Sequence, residues 1–248
     1  MRLLLTGLNG TLAPRVAEAA TAAGWTVRSW DRRAVPPEDP AVVQAWLRAE
    51  RPDAIAHLAT GDEAWAGLLA HHAAAAGLPL VFTSTAMVFD AEPDGPHRPG
   101  DVRTARDDYG RRKIRCEDAV LAAHPQASVL RIGWQIDPER SGNNMLMQLD
   151  DWQARDGEVA ASTAWRPACS FMTDTAAAIV GLLARPSPGV VHLDSNAAEG
   201  HTFAAVVHAL RRRFDRRHWR VREHVGYVHD QRLIDGLAVP PLSARLPL

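Results

Sequence analysis

Lysine is almost missing from this sequence. Of its 28 basic side chains only Lys113 is a lysine, and every other one is an arginine. A chain that uses arginine everywhere else and keeps one lysine marks a place where a planar fork is not accepted and a compact point charge is. Tyrosine is nearly as scarce, with 2 in 248 residues, Tyr109 and Tyr227. The 2 cysteines, Cys116 and Cys169, are too few and too far apart for a disulfide framework or a metal knuckle. The 11 histidines show no ligand spacing, so no metal is expected. Long apolar runs are also lacking. Met1 to Gly7 is cut off too early for a signal peptide, and nothing later reaches membrane-spanning length, which predicts a cytoplasmic protein without a membrane partner. A formal net charge of -1 gives no global field for nucleic acid and leaves a small neutral-to-anionic ligand as the expected partner.

Against that sparse background, Tyr109 and Lys113 stand four residues apart in a segment that reads as a helix from Asp107 to His124. Residues i and i+4 share a helix face. A phenol titrates near pH ~10, and an adjacent ammonium favours its ionised form, so the pair has the makings of a general acid/base. A solvated helix face is the plainer alternative for the same spacing.

The rest of the chain alternates strands and helices as an α/β fold does. Leu3 to Thr6 reads as a buried strand and Leu12 to Ala23 as a helix, joined by the glycine turn Thr6-Gly7-Leu8-Asn9-Gly10-Thr11. That order suits a pyrophosphate resting on the amides of a helix start. The next strand, Thr26 to Trp30, ends in Asp31-Arg32-Arg33 at the ribose-reading position. Asp31 favours NAD, whereas Arg32 or Arg33 favours the 2'-phosphate of NADP. A helix over Ala41 to Ala49, a strand over Ala54 to Leu58, a helix over Glu63 to Ala76 and a strand over Leu80 to Ser84 follow, the last ending at Thr85. A fifth strand is read at Ser128 to Ile132. Beyond Trp134 the pattern loosens into helices at Asn144 to Arg155, Thr173 to Ala184 and Thr202 to Phe214, with a strand at Val190 to Leu193, pieces expected to form a small lobe. The arginine-rich run from Arg211 to Arg222 reads first as solvated charge at a helix end and second as an anion site.

Thr6-Gly7-x-x-Gly10-x-x-Ala13, Ser84-Thr85 and Tyr109-x-x-x-Lys113, in that order, resemble the extended short-chain dehydrogenase/reductases. Arg51-Pro52-Asp53-Ala54-Ile55, Ser84-Thr85 through Val88-Phe89-Asp90, Tyr109-Gly110-Arg111-x-Lys113 and Leu130-Arg131-x-x-Trp134 look most like the dTDP-4-dehydrorhamnose reductase and NAD-dependent epimerase group within them. The likeness is strong to Trp134 and faint beyond. It implies a Rossmann-type doubly wound parallel sheet over residues 1–134, and a segment 135–248 that supplies a small substrate lobe and completes the core. It implies a triad of Thr85, Tyr109 and Lys113, with Tyr109 as proton donor and Lys113 holding the nicotinamide ribose and depressing the Tyr109 pKa. Cofactor, with NADPH slightly preferred over NADH, would be held by Gly7, Leu8, Asn9, Gly10, Thr11, Leu12, Asp31, Arg32, Arg33, Leu58, Ala59, Thr60, Ile132 and Gly133. Substrate would meet Thr85, Met87, Trp134 and Asn143. The activity implied is reduction of a carbonyl, or oxidation of an alcohol, on a small or sugar-like substrate; a non-catalytic nucleotide-binding regulatory subunit and a sugar epimerase are the rivals. Two departures stand out. Only Gly61 to Pro79 separates the third and fourth strands where the family has a longer loop and helix, which leaves monomer and homodimer both open, and Ala86-Met87 stands where those reductases have Asp-Tyr.

Overall fold

The computed structural model describes residues 1–248. Its centre is a six-stranded, wholly parallel sheet, formed in chain order by β1 (Arg2–Thr6), β2 (Thr26–Ser29), β3 (Ala54–His57), β4 (Leu80–Thr85), β5 (Ser128–Ile132) and, much later, β10 (Gly189–Leu193). Across the sheet the order is β10-β5-β4-β3-β1-β2, a Rossmann-type arrangement in which the winding reverses beside β1. Strands covered on both faces must be apolar on both, and β1 shows how the layers divide. Leu4 faces one core cluster with Ile55, Phe82 and Val129. Leu3 and Leu5 face another, with Ala56, Val81 and Leu130, as the two-residue period of a strand requires.

On the Leu4 side lie α2 (Pro40–Glu50), α3 (Glu63–Ala76) and α4 (Asp108–Ala123); on the other lie α1 (Leu12–Ala22) and α6 (Met172–Ala184). The starts of α2, α3 and α4 are fixed by acidic caps. Asp39 accepts from Ala41 N and Val42 N, Asp62 from Trp65 N, and Asp107 from Gly110 N at 2.7 Å. α3 ends on Gly77 at φ 65°, the left-handed stop that glycine allows.

The strand expected at Val190 to Leu193 belongs to this sheet and not to the lobe. β10 runs parallel to β5, with Gly189 opposite Ser128 and Leu193 opposite Ile132. The lobe is made of β6 (Trp134–Ile136), α5 (Met145–Asp156), β7 (Val159–Ser162), β8 (Trp165–Arg166), β9 (Cys169–Phe171), α7 (Phe203–Arg213), β11 (Val221–His224) and β12 (His229–Asp230). Its strands pair in twos, β6 with β9, β7 with β11 and β8 with β12. Phe203, Trp219, Leu149 and Met145 sit in a core of its own. Part of the arginine run is neutralised locally: Arg216 pairs with Asp150, Arg217 with Asp215 and Arg222 with Glu158. No helix is long and apolar enough to cross a membrane.

Candidate active site

The sheet's carboxyl edge opens into two clefts, of about 540 Å³ and 800 Å³, that share Gly7, Asn9, Gly10, Leu58 and Thr60 and so form one groove. Its middle is the glycine turn. Gly7 sits at φ +83°, and a Cβ there would stand 2.9 Å from Ala59 N, so no larger residue allows β1 and β3 to end this close together. Thr6 seals the approach from below: its hydroxyl accepts from Leu58 N and Ala59 N, both at 3.0 Å. The hydroxyl proton is then left for His57 Nδ1 at 2.8 Å, which places the His57 proton on Nε2. Complete burial holds this imidazole neutral, with its pKa pushed down to about 3. Thr11, at the start of α1, makes no side-chain cap, so the first amides of α1 stay open to an anion in the groove.

At the outer end, the larger cleft is lined by Leu8, Asp31, Arg32, Arg33 and Ala59. Arg32 donates through Nη2 to the Thr60 carbonyl, and its Cζ lies 4.8 Å over the Trp65 ring. Trp65 is propped edge-on by Trp30, with centroids 5.3 Å apart. Asp31 accepts from Arg33 N at 2.9 Å, which uses one carboxylate oxygen on the turn itself.

The inner end holds Thr85, Tyr109 and Lys113 together on one cleft wall with Ile132, Gly133 and Trp134. Gly110 lets α4 seat there, since a Cβ would meet Met87 O at 2.7 Å and the Ala105 Cβ at 2.6 Å. Lys113 is only 7% exposed; its Nζ donates to Thr83 O at 2.8 Å and lies 4.7 Å over the Phe82 ring. Burial pushes its pKa down to about 8. Tyr109 is 41% exposed, and its phenol is pushed above the usual value, first by desolvation, with Thr85 and Arg112 opposing and Asp107 adding. The Lys113 ammonium rests on Thr83 O, and of the charges that bear on the phenol Arg112 favours its ionised form.

One turn further along α4, Glu117 is wholly buried and takes Arg131 Nε at 2.9 Å and Nη2 at 2.7 Å. Ser84 Oγ donates to the same carboxylate, and Arg103 reaches it at 3.2 Å. Arg131 also donates to Pro99 O. This network joins α4 to the ends of β4 and β5 directly beneath the triad.

A strap formed by residues 137–143 faces the glycine turn. Arg15 on α1 holds Asp137 bidentately at 2.8 and 2.7 Å, Glu18 pairs with Arg140, and Thr11 Oγ1 donates to Asn143 O. Gly142, at φ +118°, lies so close that a Cβ would stand 2.3 Å from Thr11 Cγ2. Ser141, Gly142 and Asn143 line the inner cleft with Gly7, Asn9, Gly10, Thr11 and Leu12.

Of the residues singled out from the sequence, Met87 alone lines neither cleft; its backbone N–H is spent on Thr85 Oγ1. Thr83, Ser84, Gln135, Ser141 and Gly142 line the inner cleft without having been anticipated. Only the nearness of Asn143 hinted at the last two. No group of three or more His, Cys, Asp or Glu side chains is disposed to hold a metal ion. A groove running from a ribose-reading strand end, past uncapped helix amides, to a buried lysine fits an extended dinucleotide.

The family described as "RmlD substrate binding domain" matches residues 62–223, more than half of the chain. A dTDP-4-dehydrorhamnose reductase of Mycobacterium tuberculosis is 28% identical over 208 residues, covering 73% of this chain and 65% of that one, so the match spans just under two thirds of that relative's length. A probable dTDP-4,6-dihydroxy-2-methyloxan-3-one 4-ketoreductase of Streptomyces antibioticus is 29% identical over 77% of this chain and 70% of its own. Among solved structures, a dTDP-4-dehydrorhamnose reductase from Bacillus anthracis in complex with NADP superposes with a TM-score of 0.81 at 17% identity, covering 98% of this chain and 96% of that one. The Bordetella bronchiseptica enzyme WbmH in complex with NAD+ does so at 0.77, also at 17% identity, covering 98% and 95%. At that identity the structural likeness is one of fold.

Proposed function

The chain belongs to the RmlD substrate binding domain family, and from that premise we propose that it is an NAD(P)-dependent oxidoreductase that reduces a carbonyl on a small or sugar-like substrate. The observation that carries this reading is the groove in which Thr85, Tyr109 and Lys113 meet the cleft of the glycine turn. A bound reduced nicotinamide supplies a hydride to the carbonyl carbon. Tyr109 gives its phenolic proton to the carbonyl oxygen, and the Thr85 hydroxyl holds that oxygen in place. Lys113, swinging from Thr83 O, donates to the ribose hydroxyls. Open amides at the start of α1 take the pyrophosphate, and Arg32 leaves Thr60 O and Trp65 to grip a 2'-phosphate, which favours NADPH.

Trp134 and Asn143 border the substrate end of the cleft. The relatives whose names specify dTDP-linked keto sugars make a nucleotide-linked 4-keto sugar the first candidate. Because Ala86-Met87 stands where those reductases have Asp-Tyr, small ketones belong in the same panel. We place the protein in the cytoplasm, as a monomer or homodimer.

The test has two stages. NADPH and NADH are first titrated against the melting temperature, since a ligand that binds only the folded state raises it. NADPH oxidation is then followed over nucleotide-linked keto sugars and small ketones. A protein whose melting temperature neither nucleotide moves would sink this reading; tight, non-exchanging NAD with no net oxidation would point instead to an epimerase.

A further inference from the structure

The arginine run that closes α7 is only partly spent. Arg216, Arg217 and Arg222 have carboxylate partners, and Arg211 and Arg212 donate to the carbonyls of Arg217 and Pro247. Arg213 and Arg220 have neither. Arg213, whose Cζ lies 5.8 Å from the centroid of the Phe214 ring, lines a third cleft, of about 460 Å³. This cleft has no lining residue in common with either part of the groove at the glycine turn. It sits where α1, the start of α6, the end of α7 and the carboxyl-terminal segment meet, a junction between sheet body and lobe of the kind in which ligands are held.

Its lining is apolar, with one uncommitted charge. Ile136, Pro138, Phe171 and Phe214 supply the apolar part. Arg245 lies 5.1 Å over the Phe171 ring and pairs with Asp174, while Arg15 is divided among Glu18, Asp137 and Glu139. Each carboxylate at the cleft is thereby matched to a guanidinium, and Arg213 is left over. Thr173, exposed on the same wall, makes no hydrogen bond through its hydroxyl. A free cation and a free hydroxyl beside two phenyl rings fit a compact anion carried on a flat apolar body. The cleft also shares a wall with the groove: Asp137, Pro138 and Glu139 of the strap line this side, and Ser141, Gly142 and Asn143 of the same strap line the other. We propose that this cleft is a second binding site, for an aromatic carboxylate, and that its occupant braces the strap and slows release of the cofactor. A ligand that fits only the seated strap must oppose its lifting, by linkage. The bracing rests on the reading of the groove as a cofactor site; the binding does not.

The probe is para-fluorobenzoate, followed by fluorine NMR. Its resonance should broaden saturably on the protein and stay broadened when NADPH is added, because the two sites share no residue. Arg213→Ala should weaken its binding by about fivefold or more. Ala244→Trp, which fills the exposed rim of the cleft and keeps every charge, should weaken it at least as much. Arg217→Ala, whose side chain is already paired with Asp215, should leave it unchanged. Fluorobenzene, the body without the charge, and inorganic phosphate, the charge without the body, should compete poorly. The site is overturned by a lack of saturable broadening, by displacement with NADPH, by undiminished affinity in Arg213→Ala, or by phosphate competing as well as benzoate does. In stopped-flow displacement, saturating para-fluorobenzoate should slow NADPH release by about twofold or more in the parent and not in Arg213→Ala. An unchanged rate in the parent overturns the bracing. A protein that takes para-fluorobenzoate at this cleft and binds no nucleotide would sink the proposed function, and the bracing with it, and leave the binding site standing.

Discussion

At the scale of single residues, Lys113 and Tyr109 are expected to fail differently when changed. Lys113→Arg keeps the charge but puts five donors where one ammonium is buried between Thr83 O and the Phe82 ring. Its NADPH affinity should fall roughly tenfold, about the weight of one charge-assisted hydrogen bond, and equilibrium fluorescence titration measures it. Tyr109→Phe should leave that Kd nearly unchanged and abolish most of kcat. The ammonium of Lys113 gives way to the neutral amine as pH rises through about 8, so NADPH affinity should weaken above that pH in the parent and not in Lys113→Met. Arg32→Ala should cost NADPH more than NADH, because only the former offers the 2'-phosphate. The positions of these side chains were legible in the sequence because each follows a strand end or a helical period. Their electrostatics were not. Nothing in a four-residue spacing tells that the Lys113 ammonium reaches Thr83 O, which only the three-dimensional path of the side chain shows.

Among the elements, α4 carries the most. The turn that bears Tyr109 and Lys113 is held by an Asp107 cap at one end and by the Glu117–Arg131 pair beneath. Glu117→Gln keeps the shape but leaves Arg131, 2% exposed, without its counter-charge. Such a loss should destabilise by roughly 3 kcal/mol or more, read from urea unfolding, whereas replacing both partners with apolar residues should cost less. The alternation of strands and helices through β5 was readable because helices of three turns or so show their period and β1, β3 and β4 each carry a short apolar run. α3 occupies Glu63–Ala76, the span read from the sequence. The lobe was not readable to the same degree. β8 and β12 are two residues each, too short to carry any period, and they pair only because the chain returns to them from more than sixty positions away, Trp165 opposite His229. β10 was visible as a strand but not as a member of the main sheet, since nothing local states which edge an apolar run will join.

For the molecule as a whole, acid should be the weak side. His57 and His192 are buried and neutral, with pKa values pushed from 6.5 down to about 3 and about 4. The unfolded chain therefore binds more protons than the folded one between pH 6.5 and those values, so stability falls as pH drops through this window. Asp194 works the other way, because burial raises its carboxyl to about 7 and the folded chain holds that proton through the same window; the net deficit by pH 4 is therefore roughly 3 kcal/mol, read as a lower urea midpoint by circular dichroism at pH 4 than at pH 7. The strap has a kinetic meaning that equilibrium binding would not reveal. Thr11 touches Gly142 and Asn143 beside the glycine turn, so a dinucleotide held along that turn would lie against a crossbar and not in an open trough. Such a cofactor should arrive before the substrate, leave after the product, and have a residence time set by how often the crossbar lifts. Two of the ties that hold it down, Arg140 to Glu18 and Arg15 to Glu139, reach solvent-exposed carboxylates. Added salt should screen them, so NADPH displacement in a stopped-flow mixer is expected to quicken with ionic strength, and Arg140→Ala to set the pace at low salt that the parent reaches only in high salt.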